Sequence, residues 1–418
     1  MAAAIVIVLG DIGRSPRMMN HARSLIATDY IVHMIGYNET KLPNDLINNE
    51  KLKIYSLTSS ILNKIKSMPR YLFLLYALLR IIIESFQLLL VILTIKNAKF
   101  ILIQNPPSIP TIFLALLGSW LKNIPLCIDW HNYGFSLLQI AKKSSKIVKI
   151  AYAYEKVLGK FSDGNFCVSN RMKKHLEETM GIKSTTLYDK PRRNLAESSK
   201  NMRDELNLRG FLIVSSTSFT EDEDFSIVIS ALDKLETVLT ETEYITLVIT
   251  GKGPLKDYYK NLISQKTWKK SKVIFAWLEA EDYPTLLKQA DLGVCLHISS
   301  SGYDLPMKVV DMHAAALPAL AFYYDTIEEL VISGRNGDTF KNSQDLAEKI
   351  EFLIRNPSLL KKYRDELLKE KKENYWEDVW VKAAKPVLNG MPKNKASSWI
   401  FRIILSICIA KLITYLFF

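Results

Sequence analysis

Short apolar runs alternate with helix-patterned stretches along most of this chain, and that alternation confines it to parallel sheets with helices on both faces. In the first half, residues 5–9, 31–36, 52–57, 100–104, 126–129 and 164–168 read as strands. Helical patterns over 17–27, 60–96, 108–121, 136–161 and 169–180 separate them. A polar break begins at Tyr188, and the series restarts with strands at 211–215, 246–250, 273–277, 292–297 and 319–322. The chain is therefore α/β, with two doubly wound domains expected over 1–195 and 196–385 and a linker with an apolar tail over 391–418. Ligands of such sheets sit beyond the carboxyl ends of the strands, so two facing domains would hold a donor and an acceptor across one cleft.

At 418 residues the chain exceeds what one hydrophobic core usually holds. A net charge of +12 together with 48% hydrophobic residues suits an anionic membrane surface or phosphorylated ligands. The positive charge is scattered in short clusters with no nucleic-acid motif, which argues against a nucleic-acid partner. Cys127, Cys167, Cys295 and Cys408 lie far apart, so neither a disulfide framework nor a structural zinc is expected. The first apolar run breaks at Gly10 and reads as a strand rather than a leader or spanning helix. Apolar surface for a bilayer lies instead at 71–95, interrupted by Arg80, Glu84 and Gln87, and at 399–418, interrupted mainly by Arg402 and Lys411. Arg80 and Glu84 stand one turn apart and can pair, and 71–95 reads equally as a bilayer segment or as a long core helix. The tail reads as a short anchor with a snorkelling lysine.

Residues 301–318 carry the strongest functional signal. A buried-strand pattern over 290–296 leads into a polar turn holding Ser301 and Gly302, and Pro306 falls where a helix can begin. Lys308 and Asp311 then sit on its first turns, which makes a place for a sugar nucleotide. The helix terminus and the lysine would meet the diphosphate, and the carboxylate would accept the ribose hydroxyls. The plainer alternative is a surface Lys/Asp pair.

Eight segments in order, from Val8-Leu-Gly-Asp-Ile-Gly-Arg-Ser-Pro-Arg17 to the 301–318 stretch, together resemble one family. Between them stand Gln104-Asn-Pro-Pro-Ser-Ile-Pro-Thr111, Ile128-Asp-Trp-His-Asn-Tyr-Gly134, Leu187-Tyr-Asp-Lys-Pro191, Ser215 to Asp224, Thr250 to Leu255 and Trp277 to Pro284. The family is the chitobiosyldiphosphodolichol beta-mannosyltransferases, glycosyltransferases of the GT-B fold. The resemblance implies transfer of mannose from GDP-mannose to GlcNAc2-diphosphate-dolichol, with inversion and a beta-1,4 linkage, in lipid-linked oligosaccharide synthesis for N-glycosylation. It also implies the endoplasmic reticulum membrane, with the catalytic domains facing the cytosol, and makes other mannosyltransferases of that pathway candidate partners. Two departures stand out: no N-terminal anchor precedes the first strand, and His313-Ala-Ala-Ala316 replaces a bulkier glycine-containing run.

An alpha-linked donor and a beta-linked product imply a single displacement that needs a base. Asp129 and His131 end a strand and are both credible bases, and Trp130 or Tyr133 could stack on a GlcNAc ring. Asp11 is the next candidate. The alternative is that Asp129 caps the turn and His131 is an ordinary surface residue. Gly13 and Arg14, in a glycine-containing turn after the first strand, could face a diphosphate of donor or acceptor. In the second domain Ser218 and Thr220 are candidate donor-site hydroxyls, and Gly251-Lys252-Gly253 forms a second phosphate-or-base turn. Glu279 could pair with guanine edge donors. No Asp-x-Asp motif is convincingly placed, so no cofactor or metal is required by the sequence and divalent-metal dependence stays open. The rivals are a UDP-sugar enzyme of the same fold and a non-catalytic subunit of a membrane complex.

Overall fold

The computed structural model describes residues 1–57, 70–193, 198–279 and 281–392, with backbone only over 70–78. It divides into two compact units. The first comprises Met1–Tyr188 and the chain from Trp380 onward, and the second comprises Asp189–Val379. These limits differ from 1–195 and 196–385 because the chain returns to the first unit inside the helix Trp376–Gly390, where Trp380 is buried. The expected tail anchor lies almost wholly outside the described residues.

The first unit is a seven-stranded parallel sheet in the order β3-β2-β1-β4-β5-β6-β7. Its strands are β1 Ala3–Asp11, β2 Ile31–Tyr37, β3 Leu52–Ser56, β4 Ala98–Asn105, β5 Leu126–Trp130, β6 Gly164–Cys167 and β7 Thr185–Thr186. β1 is central and covered on both faces, which is why its apolar residues run continuously rather than alternate. The second unit is a six-stranded parallel sheet in the order β10-β9-β8-β11-β12-β13. Its strands are β8 Phe211–Thr217, β9 Ile245–Gly251, β10 Ser271–Ala276, β11 Leu292–Cys295, β12 Ala319–Phe322 and β13 Gly337–Phe340. Alternate residues of β8 feed two cores, Ile213 into one and Leu212 with Val214 into the other.

Every strand expected from the apolar runs is present, usually extended by a residue or two. β7 and β13 carry no apolar run and were not foreseeable from one. The 136–161 pattern is two helices, Gly134–Ile140 and Ser145–Gly159, parted where Lys142 takes a left-handed conformation. The expected helix over 60–96 is Arg70–Thr94, residues 58–69 lying outside the described set. Each sheet reverses its winding once, between β1 and β4 in the first unit and between β8 and β11 in the second. Ligand sites of wound sheets form at the carboxyl ends beside such reversals.

Candidate active site

Asp129, near the end of β5, is fully buried and collects four hydrogen bonds. Pro16 opens the helix Pro16–Ala27, so Arg17 and His21 stand one turn apart and reach the same point. Arg17 grips the carboxylate with Nε and Nη2, both at 2.8 Å, and its Nη1 donates to the Leu187 carbonyl at 2.8 Å. His21 Nε2 lies 3.0 Å and His131 Nε2 2.9 Å from Oδ2. Burial alone would raise this carboxyl, but the Arg17 charge and the imidazole bonds hold it well below the usual carboxylate range. A buried, ionised and fully bonded carboxylate has no place for an acceptor proton, so Asp129 positions rather than abstracts. His131 differs: its side chain is 20% exposed, and its Nε2–H must donate because the carboxylate only accepts. Nδ1 is left as the proton acceptor, with no hydrogen-bond partner among the described residues.

Trp130 and Tyr133, expected to stack on the acceptor, are core residues instead. Both are fully buried. Trp130 donates to Asn165 at 3.0 Å, and the Tyr133 hydroxyl meets His175 Nδ1 at 2.8 Å. Asp11 is likewise committed. Its carboxylate accepts the backbone N–H groups of Gly13, Glu39 and Thr40 and the Thr40 hydroxyl, so it holds two loops together. Gly13 packs where a Cβ would come within 2.5 Å of the Thr40 carbonyl oxygen. Arg14 pairs with Asp11 at 3.5 Å and donates from Nε to the Thr40 hydroxyl at 3.3 Å, while its side chain stays 81% exposed.

In the second unit, Glu223 is buried, accepts the Thr217 hydroxyl at 2.7 Å and the Ser218 amide at 2.9 Å, and pairs with Lys308. Lys308 stands in the first turn of the helix Met307–Ala314, and its partner is Glu223 rather than Asp311. Asp311 is exposed and lines a small pocket with Tyr283, Leu287 and Lys288. His297, just beyond β11, lies between two carboxylates, with Nδ1 3.4 Å from Asp222 and Nε2 3.1 Å from Asp304. Burial opposes its charge, but the two carboxylates raise it to about 9. Asp304 also accepts the hydroxyls of Ser299 and Ser301, and the Gly302 amide donates to Ser299 Oγ at 2.8 Å. The turn before Lys308 is thus tied to the loop after β8, where Thr220 bonds Asp222 and Ser218 is exposed.

Gly251 and Gly253 are required by close approach, since a Cβ would come within 1.8 Å of the Thr217 and 1.7 Å of the Ser218 carbonyl oxygen respectively. Between them Lys252 places its ammonium 3.8 Å from the centre of the Trp277 ring, which is 60% exposed. Glu279 is exposed, and its carbonyl receives the first amides of the helix Asp282–Gln289. The roles of His297, Glu223 and Arg17 were not expected from the sequence. The Arg17/His21 spacing was a usable signal, whereas Glu223 sat in an acidic run that reads as solvated.

The fold is that of GT-B glycosyltransferases. The chain superposes on a sucrose-phosphate synthase from Thermosynechococcus elongatus with a TM-score of 0.69 at 13% identity, over 91% of this chain and 97% of that one. It superposes on WaaG, a glycosyltransferase involved in lipopolysaccharide biosynthesis, with a TM-score of 0.64 at 13% identity, over 93% and 100%. Residues 198–373 match the glycosyl transferases group 1 family. A chitobiosyldiphosphodolichol beta-mannosyltransferase from Mus musculus is 37% identical over 92% of this chain and 88% of its own length. Its namesakes from Homo sapiens and Debaryomyces hansenii are 35% and 36% identical, over 92% and 90% of this chain and 92% and 85% of their own lengths. The chain therefore belongs to the chitobiosyldiphosphodolichol beta-mannosyltransferase family.

Proposed function

We propose that this glycosyltransferase moves mannose from GDP-mannose to GlcNAc2-diphosphate-dolichol, with inversion and a beta-1,4 linkage, on the cytosolic face of the endoplasmic reticulum membrane. The observation that carries this reading is 37% identity across 92% of the chain to a relative of that name. The first unit supplies the base. Nδ1 of His131 takes the proton of the acceptor hydroxyl as its oxygen bonds to the mannose anomeric carbon, and the bond from that carbon to the diphosphate breaks on the opposite face. Asp129 keeps Nε2 protonated and stabilises the imidazolium that forms. The second unit meets the leaving GDP with Lys308 and with the amino end of the helix Met307–Ala314 that carries it. The test is incubation of the full chain with labelled GDP-mannose and a phytanyl-linked GlcNAc2-diphosphate, with UDP-glucose in a parallel reaction. Beta-linked mannose on the acceptor is the expected product. Transfer from the UDP-sugar alone, or none from either, overturns the reading.

A further inference from the structure

We propose that the outer face of the helix Arg70–Thr94 is the surface by which the first unit lies on an anionic lipid bilayer. At about 100° per residue, Leu79, Ile82, Ile83, Phe86, Leu90 and Leu93 share one stripe, and Leu88 and Ile92 lie opposite it. Leu88 and Ile92 are fully buried, while Phe86 is 66% exposed, Ile82 54% and Leu90 51%. The buried side is committed to the fold. A Cβ at Gly118 would come within 2.7 Å of Ile92, and Lys122 donates to the carbonyls of Leu93 and Ile95, so the helix cannot roll its stripe inward without losing that contact. Arg80 and Glu84, which in the bare sequence speak against bilayer contact, pair at 2.7 Å on the inner flank and leave the stripe uncharged.

The stripe belongs to a larger layer. Winding runs one way from β1 to β3 and the other way from β3 through β6, so right-handed crossovers put Arg70–Thr94, Thr111–Lys122 and Ser145–Gly159 on one side of the sheet. The three pack side by side in that order. The middle helix adds Leu121, 59% exposed, and the third adds Ile147, 47% exposed. Lys142, Lys143, Lys146 and Lys149 stand exposed around the start of the third helix. An apolar stripe on the first helix of this layer, with lysines exposed around the start of the third, matches acyl chains beneath anionic headgroups. A second copy of the chain would set lysine against lysine, which disfavours a self-associated face.

This inference rests on the proposed lipid-linked acceptor for its purpose, but its test does not use transfer. The full chain is prepared with Cys408→Ser and Phe86→Cys, and a polarity-sensitive fluorophore is attached at position 86, since Cys127, Cys167 and Cys295 are buried. Tyr258→Cys, an exposed position in the second unit, is the control. Phosphatidylcholine vesicles containing phosphatidylserine and spin-labelled acyl chains should shift the emission at position 86 to the blue and quench it, with neither change at position 258. Reversing Lys142 and Lys146 to Glu should weaken that response, and Phe86→Asp with Leu90→Asp should cut vesicle partition of a chain ending at residue 392 about tenfold or more. Transfer to a water-dispersed acceptor by the Asp variants should persist, which separates failure of this inference from failure of the functional reading. Blue-shifted emission at position 86 before any vesicles are added means that the C-terminal segment or a second copy covers the stripe. That result, or emission that vesicles leave unchanged, overturns the proposal.

Discussion

Trp380 donates its indole N–H to Nδ1 of His21 at 3.0 Å, and this one bond settles the protonation of a buried imidazole. An indole only donates, so Nδ1 accepts and the ring proton sits on Nε2, aimed at Asp129 3.0 Å away. Burial holds His21 below the ordinary imidazole value, which keeps it neutral. The helix Trp376–Gly390 thereby fixes the tautomer of a residue that helps fix Asp129. Trp380→Phe removes the donor and keeps most of the ring volume. It should cost about 1–3 kcal/mol through the unsatisfied Nδ1, read as a lower denaturation midpoint. A midpoint equal to wild type would mean that the bond contributes nothing to stability.

Asp129 and His131 should separate cleanly by variant. His131→Ala should lower transfer by about 10²- to 10⁴-fold while GDP-mannose binding holds and the fold loses only about 1–3 kcal/mol for the missing hydrogen bond to Asp129, the pattern of a lost base. Asp129→Asn leaves Arg17 buried beside a neutral group and should destabilise the fold by about 3–5 kcal/mol as well as abolish transfer. Near-normal turnover by a folded His131→Ala protein would exclude Nδ1 as the base.

The strands were legible because strands covered on both faces are apolar end to end, as in β1, and the βα alternation then leaves little freedom in topology. The placement of side chains was legible at Lys308, in the first turn of a helix, and at His131, just beyond an apolar strand. It was not legible at Trp130 and Tyr133, which share the same motif but point into the core. Pattern alone does not distinguish an aromatic ring that binds a sugar from one that fills a sheet. Nor could spacing along one helix pair Lys308 with Glu223, because that partner comes from a loop 85 positions earlier in the chain.

The Lys308–Glu223 pair joins binding to stability. Lys308→Ala leaves a buried carboxylate without its counter-charge and should cost about 3–5 kcal/mol of fold stability. The double change Lys308→Met with Glu223→Gln removes both charges and should recover most of that loss. Transfer should stay depressed by about 10²- to 10³-fold in both proteins, because neither offers a cation to the diphosphate. Denaturation curves and GDP titrations on the two variants check this. Donor affinity recovered in the double variant would show that Lys308 serves only to neutralise Glu223.

His297 gives the second unit a defined alkaline limit. Its folded value of about 9 lies above the ordinary 6.5, so the stabilisation from Asp222 and Asp304 is complete below about pH 6.5 and is lost as pH rises through about 9. Asp222 shifts the opposite way. The His297 hydrogen bond holds it well below the ordinary 3.8, so its contribution is present above that value and fades as pH falls beneath it. His297→Gln should therefore be less stable than wild type at pH 6.5, and the gap should close between about pH 6.5 and 9 as the wild-type imidazole loses its proton. The measurement is chemical denaturation of both proteins across that range, taken as the difference at each pH, so that other titrating groups common to both cancel. A difference that stays constant from pH 6.5 to 9 would mean that His297 holds its loops as a neutral ring and that neither carboxylate depends on its charge.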